Sequence, residues 1–288
     1  MASICVYGTV FNNVNTVEES VKSVWSPDYD IVIVDNYSKD GTWEKLQELK
    51  KEYNLKLLRL KSSRGKGRAY ALEQCPENSI TAYFDLDTYY NQNFHNTIKY
   101  GLKELLIFGS VMTYINSKED ILKSGNWKDL NFGEDIEFLS RQKISITFPL
   151  IIGKNEDVTT SNLYIEREKR YSKFWKIRIL KNVIDLYRGY AIKYNDIISI
   201  YPYVKKYNVI VYFLYLLSKV KGQYKNANPN NYVYFYKKVI DTISDPREYL
   251  NNLDINNINI TLSRNVYNYL EKYDIINNNI IKYVSIIP

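Results

Sequence analysis

Residues 82–90 read AYFDLDTYY. A run of apolar and aromatic residues, the kind that builds a buried strand, ends in two aspartates one residue apart, Asp85 and Asp87. Two like charges so close repel each other, so the arrangement needs a reason. Extended backwards, the stretch becomes ITAYFDLD, a short strand by its length and its β-branched and aromatic content. Three segments of the same kind precede it: SICVYGTVF, DIVIVD and LKLLRL. Helical segments lie between them. TVEESVKSVW carries Val17, Val21 and Val24 at helical spacing, with a capping box of Thr16 and Glu19 at its start. GTWEKLQELKKEY has an apolar stripe of Trp43, Leu46 and Leu49, and GKGRAYALEQC opens a third helix. This β-α-β-α-β-α-β order predicts an α/β fold, a mostly parallel sheet covered by helices with right-handed crossovers. Ligands of such sheets bind beyond the carboxyl ends of the strands.

The chemically useful residues collect at those ends. The first strand ends near Thr9 and Phe11, with Asn12 next to them, and the second ends at Asp35 and Asn36. The third leads into SSRGKGRAY, where Gly65 and Gly67 permit close backbone approach and Arg64, Lys66 and Arg68 bring cations to a helix N-terminus. That loop matches neither the G-x-x-x-x-G-K-[ST] phosphate loop nor the G-x-G-x-x-G fingerprint. The fourth strand ends at Asp85 and Asp87, which can turn toward one hard cation, Mg²⁺ or Mn²⁺, shared with phosphate oxygens. The cation removes the repulsion. Further on, NFGEDIEFLSRQ sets Glu134 and Asp135 at the start of an amphipathic helix with Ile136, Phe138 and Leu139 turned inward. Acids there favour the helix dipole, and one of them suits a general base.

Composition narrows the field. Of 288 residues, one is histidine (His95) and two are cysteines (Cys5 and Cys75), so a histidine metal cluster is excluded. The cysteines have no paired spacing, which predicts free thiols and a reducing compartment. The start, MASICVYGTV, lacks the pattern of a signal peptide, and no apolar run reaches the length of a membrane span. A cytoplasmic protein is expected, with the inner face of a membrane as its one other address.

Taken together, TVFNNVNTVEESVKSV, IVIVDNYSKDGT, RGKGRAYALE, FDLD and FGEDIEFLSR resemble, in order, the motifs of the family 2 glycosyltransferases of the GT-A fold. The resemblance covers roughly the first 145 residues. It implies a nucleoside diphosphate sugar as donor, with Asp35 at the base, Asp85 and Asp87 at a divalent metal and the diphosphate, and Asp135 as catalytic base beside Glu134. It also implies a single inverting displacement. Thr9 stands where the family usually has proline, Asn36 where it has a second acid, and the interval from Asp87 to Glu134 is short for the family. UDP is favoured over GDP by the strand-two acid. The acceptor, a glycan, a protein or a lipid-linked molecule, is not implied.

Residues 1–150 therefore read as the catalytic domain, and residues 151–288 as a helical, basic and aromatic C-terminal region. Charge divides the same way: residues 1–150 carry a net −2, and residues 151–225 a net +9. The segment KYNVIVYFLYLLSKVKGQYK is apolar for about a dozen residues with lysines on both sides. It suits a core helix, or a helix lying on an anionic membrane. Residues 226–288 read as helical and Asn-rich, fit for packing or for homo-oligomer contacts. Two other functions use the same residues. A sugar nucleotidyltransferase also combines a basic Gly-rich loop with metal-binding aspartates, but its loop normally follows the first strand. A nucleic-acid-binding protein would use the interleaved basic and aromatic residues of 151–225, which leaves the ordered acids of the first half without purpose.

Overall fold

A computed structural model of the chain describes residues 3–155, 175–200, 202–251, 253, 255–272, 275–276 and 282–287. In chain order the first half runs β1 (Ile4–Val10), α1 (Val17–Val24), β2 (Tyr29–Asp35), α2 (Thr42–Leu49), β3 (Leu55–Arg59), α3 (Arg64–Glu73) and β4 (Ile80–Tyr83). These are the alternating elements expected from the sequence. Next come β5 (Thr88–Tyr90), α4 (Gln92–Lys99), β6 (Leu105–Phe108), β7 (Met112–Ser117), α5 (Lys118–Ser124), α6 (Glu134–Arg141), β8 (Ile146–Phe148) and β9 (Gly153–Asn155). The C-terminal region holds α7 (Trp175–Tyr190), α8 (Tyr194–Ile200), α9 (Asn208–Lys221), α10 (Asn230–Asp241), β10 (Ile260–Ser263), α11 (Arg264–Lys272) and β11 (Val284–Ile287).

The main sheet has the order β3-β2-β1-β4-β7-β6-β8. Strands β3, β2, β1 and β4 are parallel, and β7 enters antiparallel beside β4. The chain moves outward from β1 to β3, then returns to the other side of β1 as β4. Strand order reverses there, and a crevice opens between the ends of β1 and β4. Alternate side chains of each strand go to opposite faces. Val6, Ile31, Ile33 and Ala82 pack with α1, α2 and α4. Cys5, Tyr7, Val32, Val34 and Tyr83 pack with α3, α5, α6 and the C-terminal helices. Both faces are covered, so the strands read as near-continuous apolar runs.

Four expectations need correction. Cys5 and Cys75 are disulfide-bonded, their Cα atoms 5.8 Å apart, because α3 packs across β1 and returns Cys75 to the start of that strand. The expected free thiols are absent, and the inference of a reducing compartment loses its ground. Thr16 forms no capping box: its hydroxyl donates to the Leu86 carbonyl at 3.2 Å. Trp43 is half-buried, and the buried stripe of α2 is Thr42, Leu46 and Leu49. Residues 226–288 contain a parallel pair, β10 with β11, besides helices. Of the helices expected across 161–194, the part at 161–174 lies outside the described residues.

The core beside α6 rests on stacked rings. Phe138, wholly buried, lies 4.0 Å from Trp127 in near-parallel stacking, and the Trp127 indole donates to the Tyr7 hydroxyl at 3.0 Å. Phe138→Ala should lower stability by about 3–5 kcal/mol, from lost burial and the cavity left behind. Urea denaturation checks this, and a loss below about 1 kcal/mol would mean the stack is not part of the core.

Candidate active site

The loop after β4 is fixed before it binds anything. The Ser20 hydroxyl donates to the Asp85 carbonyl at 3.1 Å, Thr16 holds Leu86, and the Asp85 N–H donates to the Tyr90 hydroxyl at 2.8 Å. Helix α1 and strand β5 thus present the pair at the crevice. Asp85 and Asp87 line a cleft of ≈ 310 Å³ together with Thr9, Phe11, Asn36 and Asp135. That volume falls within the range of small-molecule sites, roughly 300–1,000 Å³.

Arg68 stands at the centre of the charge arrangement. It is 3% exposed, its guanidinium beside the rings of Tyr83 and Trp127. One of its terminal nitrogens pairs with Asp85 Oδ1, and the other donates to Glu134 Oε1 at 3.0 Å. Burial alone would lower its pKa, but the Asp85 and Glu134 carboxylates outweigh that and hold it above the ordinary arginine value. Glu134 is 1% exposed and also accepts from Arg64 at 3.2 Å. Burial pushes its carboxyl up, with Arg64 and Arg68 pulling against it. Asp135, one residue on, is half-buried and lines the cleft. It also lines a second groove with Asp85, Phe108, Ser110, Tyr236 and Thr261. The adjacent acids are thereby separated: Glu134 is fastened inside the protein, and Asp135 faces the open space.

The other expected residues fall into two groups. Thr9, Phe11 and Asn36 are on the cleft wall. Asp35 lies behind it, wholly buried, with its oxygens accepting from the Ser38 N–H and from Arg59 Nε at 3.0 Å. Asn12 turns to the loop after β2, accepting from the Lys39 N–H, and Lys66 is exposed outside the cleft. Gly65 and Gly67 serve close packing within the protein. A Cβ on Gly65 would overlap the Lys128 carbonyl, and one on Gly67 would sit 2.5 Å from Thr9 Oγ1. Arg64, one of the cations of the basic loop, lines the cleft, and so do Ser63 and Asn131, to which no motif pointed. Asn131 is found only through a long-range contact, its side-chain oxygen accepting the Arg64 N–H at 3.3 Å.

Among the described residues, no three His, Cys, Asp or Glu side chains converge as a metal cluster. The donor set is the Asp85 and Asp87 carboxylates on one cleft. Hard oxygen ligands of this kind fit Mg²⁺ or Mn²⁺ when diphosphate oxygens and water complete the coordination.

Two tests probe this framework. Gly65→Ala should cost about 1–3 kcal/mol, since the overlapping atom is backbone, whereas Lys66→Ala should stay within about 0.5 kcal/mol. Equal effects in thermal denaturation would remove the packing role. Asp185, whose carboxylate accepts the Asn131 N–H at 2.9 Å, has its pKa raised by burial from 3.8 to about 6. A raised acid binds its proton more tightly in the folded state, so it favours the fold below 3.8 and opposes it as pH rises to about 6. Asp185→Asn should remove roughly 3 kcal/mol of that pH-dependent loss. The unfolding free energy measured across that window decides it, and an unchanged slope would overturn the assignment.

Residues 5–121 match the model of glycosyl transferase family 2. No curated protein matches the chain. Among solved structures, S. aureus TarS 1–349 in complex with UDP is 15% identical, with a TM-score of 0.44, over 84% of this chain and 89% of that one. Against a longer S. aureus TarS structure the identity is 18% and the TM-score 0.41, over 50% of this chain, which spans 33% of that one. The mannosyltransferase PcManGT from Pyrobaculum calidifontis, in complex with GDP-Man and Mn²⁺, is 13% identical, with a TM-score of 0.47, over 85% of this chain and 77% of that one. At these scores no ligand is carried across, and the family match stands on its own. Over residues 5–121 the chain thus matches a glycosyl transferase family 2 domain, carried on a mostly parallel α/β sheet.

Proposed function

We propose that the protein transfers a sugar from a nucleoside diphosphate sugar to an acceptor hydroxyl, with inversion at the sugar carbon. The observation that supports this is the meeting of Asp85, Asp87 and Asp135 in one cleft at the reversal point of the sheet, beside the N-terminus of α3. The diphosphate lies against that helix start, where Ser63 and Arg64 line the wall. A divalent cation, Mn²⁺ or Mg²⁺, held by Asp85 and Asp87, would draw charge from the departing diphosphate. Asp135 takes the proton of the attacking hydroxyl. The acceptor oxygen bonds to the sugar carbon as the bond to the diphosphate oxygen breaks on the opposite face. UDP is the donor nucleotide expected from the acid that ends β2, but Arg59 engages that acid here, so Asp35 gives no ground for choosing and both UDP and GDP belong in the test.

The second groove is the acceptor side. It shares Asp85 and Asp135 with the donor cleft, and Phe108, Ser110, Tyr236, Thr261 and Ser263 form its walls. Aromatic faces among hydroxyl groups suit a sugar ring better than a charged chain. Tyr236 comes from α10 and Thr261 and Ser263 from β10, which gives residues 226–288 a part in the site.

Calorimetric titration of UDP and GDP, with and without Mn²⁺, tests the donor side. One nucleotide should bind only with metal, and Asp87→Asn should weaken it about tenfold or more; binding that is indifferent to the mutation removes the metal assignment. Asp135→Asn should keep nucleotide affinity and lose about 10²–10⁴ in kcat. Lost affinity with surviving single-turnover transfer would take the base role from it. Once an acceptor is in hand, Tyr236→Ala should raise its KM and leave donor affinity unchanged, and the reverse pattern would place the acceptor elsewhere.

A further inference from the structure

Helix α9 has an unusual surface. Of the eleven exposed large hydrophobic side chains among the described residues, seven lie on it. Val209 is 83% exposed, Phe213 61% and Val220 87%, with Ile210, Leu216 and Leu217 beside them. Val211, Leu214, Tyr215 and Ser218, on the other side, are buried, and α9 packs there against α7. The helix is apolar on both sides, yet only one side has a partner within the described structure. A soluble surface seldom leaves such a continuous ridge open without use. Among the described residues no helix is long and apolar enough to cross a membrane. With 14 residues, α9 extends about 21 Å, a length suited to lying in an interface.

Charge selects the occupant. From Ile197 to Ile240 the chain has seven lysines and not one acidic residue. Lys205 and Lys206 are exposed in the turn that leads into α9, and Lys219 and Lys221 are exposed in its last turn. On a 3.6-residue period, Lys219 and Lys221 fall on opposite sides of the apolar ridge. An apolar stripe bordered by lysines, with no carboxylate to repel lipid phosphates, is the composition of an interfacial helix. A second copy of the same face would set lysines against lysines. A nucleic acid would use the lysines and leave Val209, Phe213 and Val220 in water.

We infer that α9 is a docking surface for an anionic phospholipid membrane, with the apolar ridge seated among the acyl chains and the lysines among the phosphates. This goes beyond the proposed transfer reaction and does not depend on it. The full chain is sedimented with vesicles of phosphatidylcholine alone, and of phosphatidylcholine mixed with phosphatidylglycerol, at low and high salt. It should bind the mixed vesicles far more strongly, and added salt should weaken that binding. Val209→Ser with Phe213→Ser should reduce partitioning about tenfold or more at either salt. Lys205→Gln with Lys206→Gln should remove mainly the salt-sensitive part. Hydrogen–deuterium exchange of wild type gives a reading without variants: vesicles should protect residues 208–221. Failure to sediment with the mixed vesicles at low salt, or unaltered binding by the Val209/Phe213 variant, overturns the inference. So does a wild-type dimer in sedimentation velocity that the same variant turns into monomers, since the face would then belong to a second copy.

Discussion

The site depends on one buried charge. Arg68 projects from α3, lies against Tyr83 and Trp127, and reaches Asp85 after β4 and Glu134 at the start of α6. Three elements far apart in sequence meet at this guanidinium. A buried cation is tolerated only where carboxylates compensate it, so the positions of those carboxylates are set by the arginine as much as by the backbone. The planar fork matters, because one side chain must satisfy two acids in different directions. Lysine at this position would offer a point charge without that geometry.

The same arrangement explains how adjacent acids acquire different work. Glu134 is consumed by Arg64 and Arg68 and buried by the core. Asp135 is turned 100° further round the helix, into the space that joins the two grooves. Neither residue type nor position in the chain distinguishes them. What does is the pair of arginines on the facing α3, which captures whichever acid points inward. The repulsion between Asp85 and Asp87 is managed in the same way, by Arg68 on one member and hydroxyls of α1 and β5 on the loop that carries both.

Much of this was legible in the sequence, for identifiable reasons. Each of the first four strands is a short apolar run closed by turn residues, and the first two helices between them have a 3.6-residue stripe, so the parallel half of the sheet could be written down. The crevice followed, because strand order reverses where β4 returns beside β1. Features made by contact across the chain were not legible. Cys5 and Cys75 are 70 residues apart and meet only because α3 lies over β1. Gly65 looks like a ligand-contacting glycine until the Lys128 carbonyl is found against it. Asp35 looks like a base-contacting acid until the register of β2 and β3 sets Arg59 opposite it. Thr261 and Ser263 join the wall of Asp135's groove from the far end of the chain, with no local pattern to announce them.

The C-terminal region helps to hold the proposed site, although the family match ends at residue 121. The loop from Asp129 to Gly133 leads directly into α6 and so sets where Asp135 stands. Its backbone is held from outside the matched segment: the Asp185 carboxylate takes the Asn131 N–H, the Tyr190 hydroxyl donates to the Gly133 carbonyl, and Arg188 and Tyr224 donate to the Asp129 carbonyl. Three of these groups lie on α7, and the opposite contacts of α7 include the buried side of α9. One helix thus stands between the surface inferred to meet lipid and the loop that positions the proposed base. Removing the C-terminal helices would leave the Asp129–Gly133 carbonyls and N–H groups without these partners, and a base at the end of an unsupported loop loses the fixed geometry that proton transfer needs.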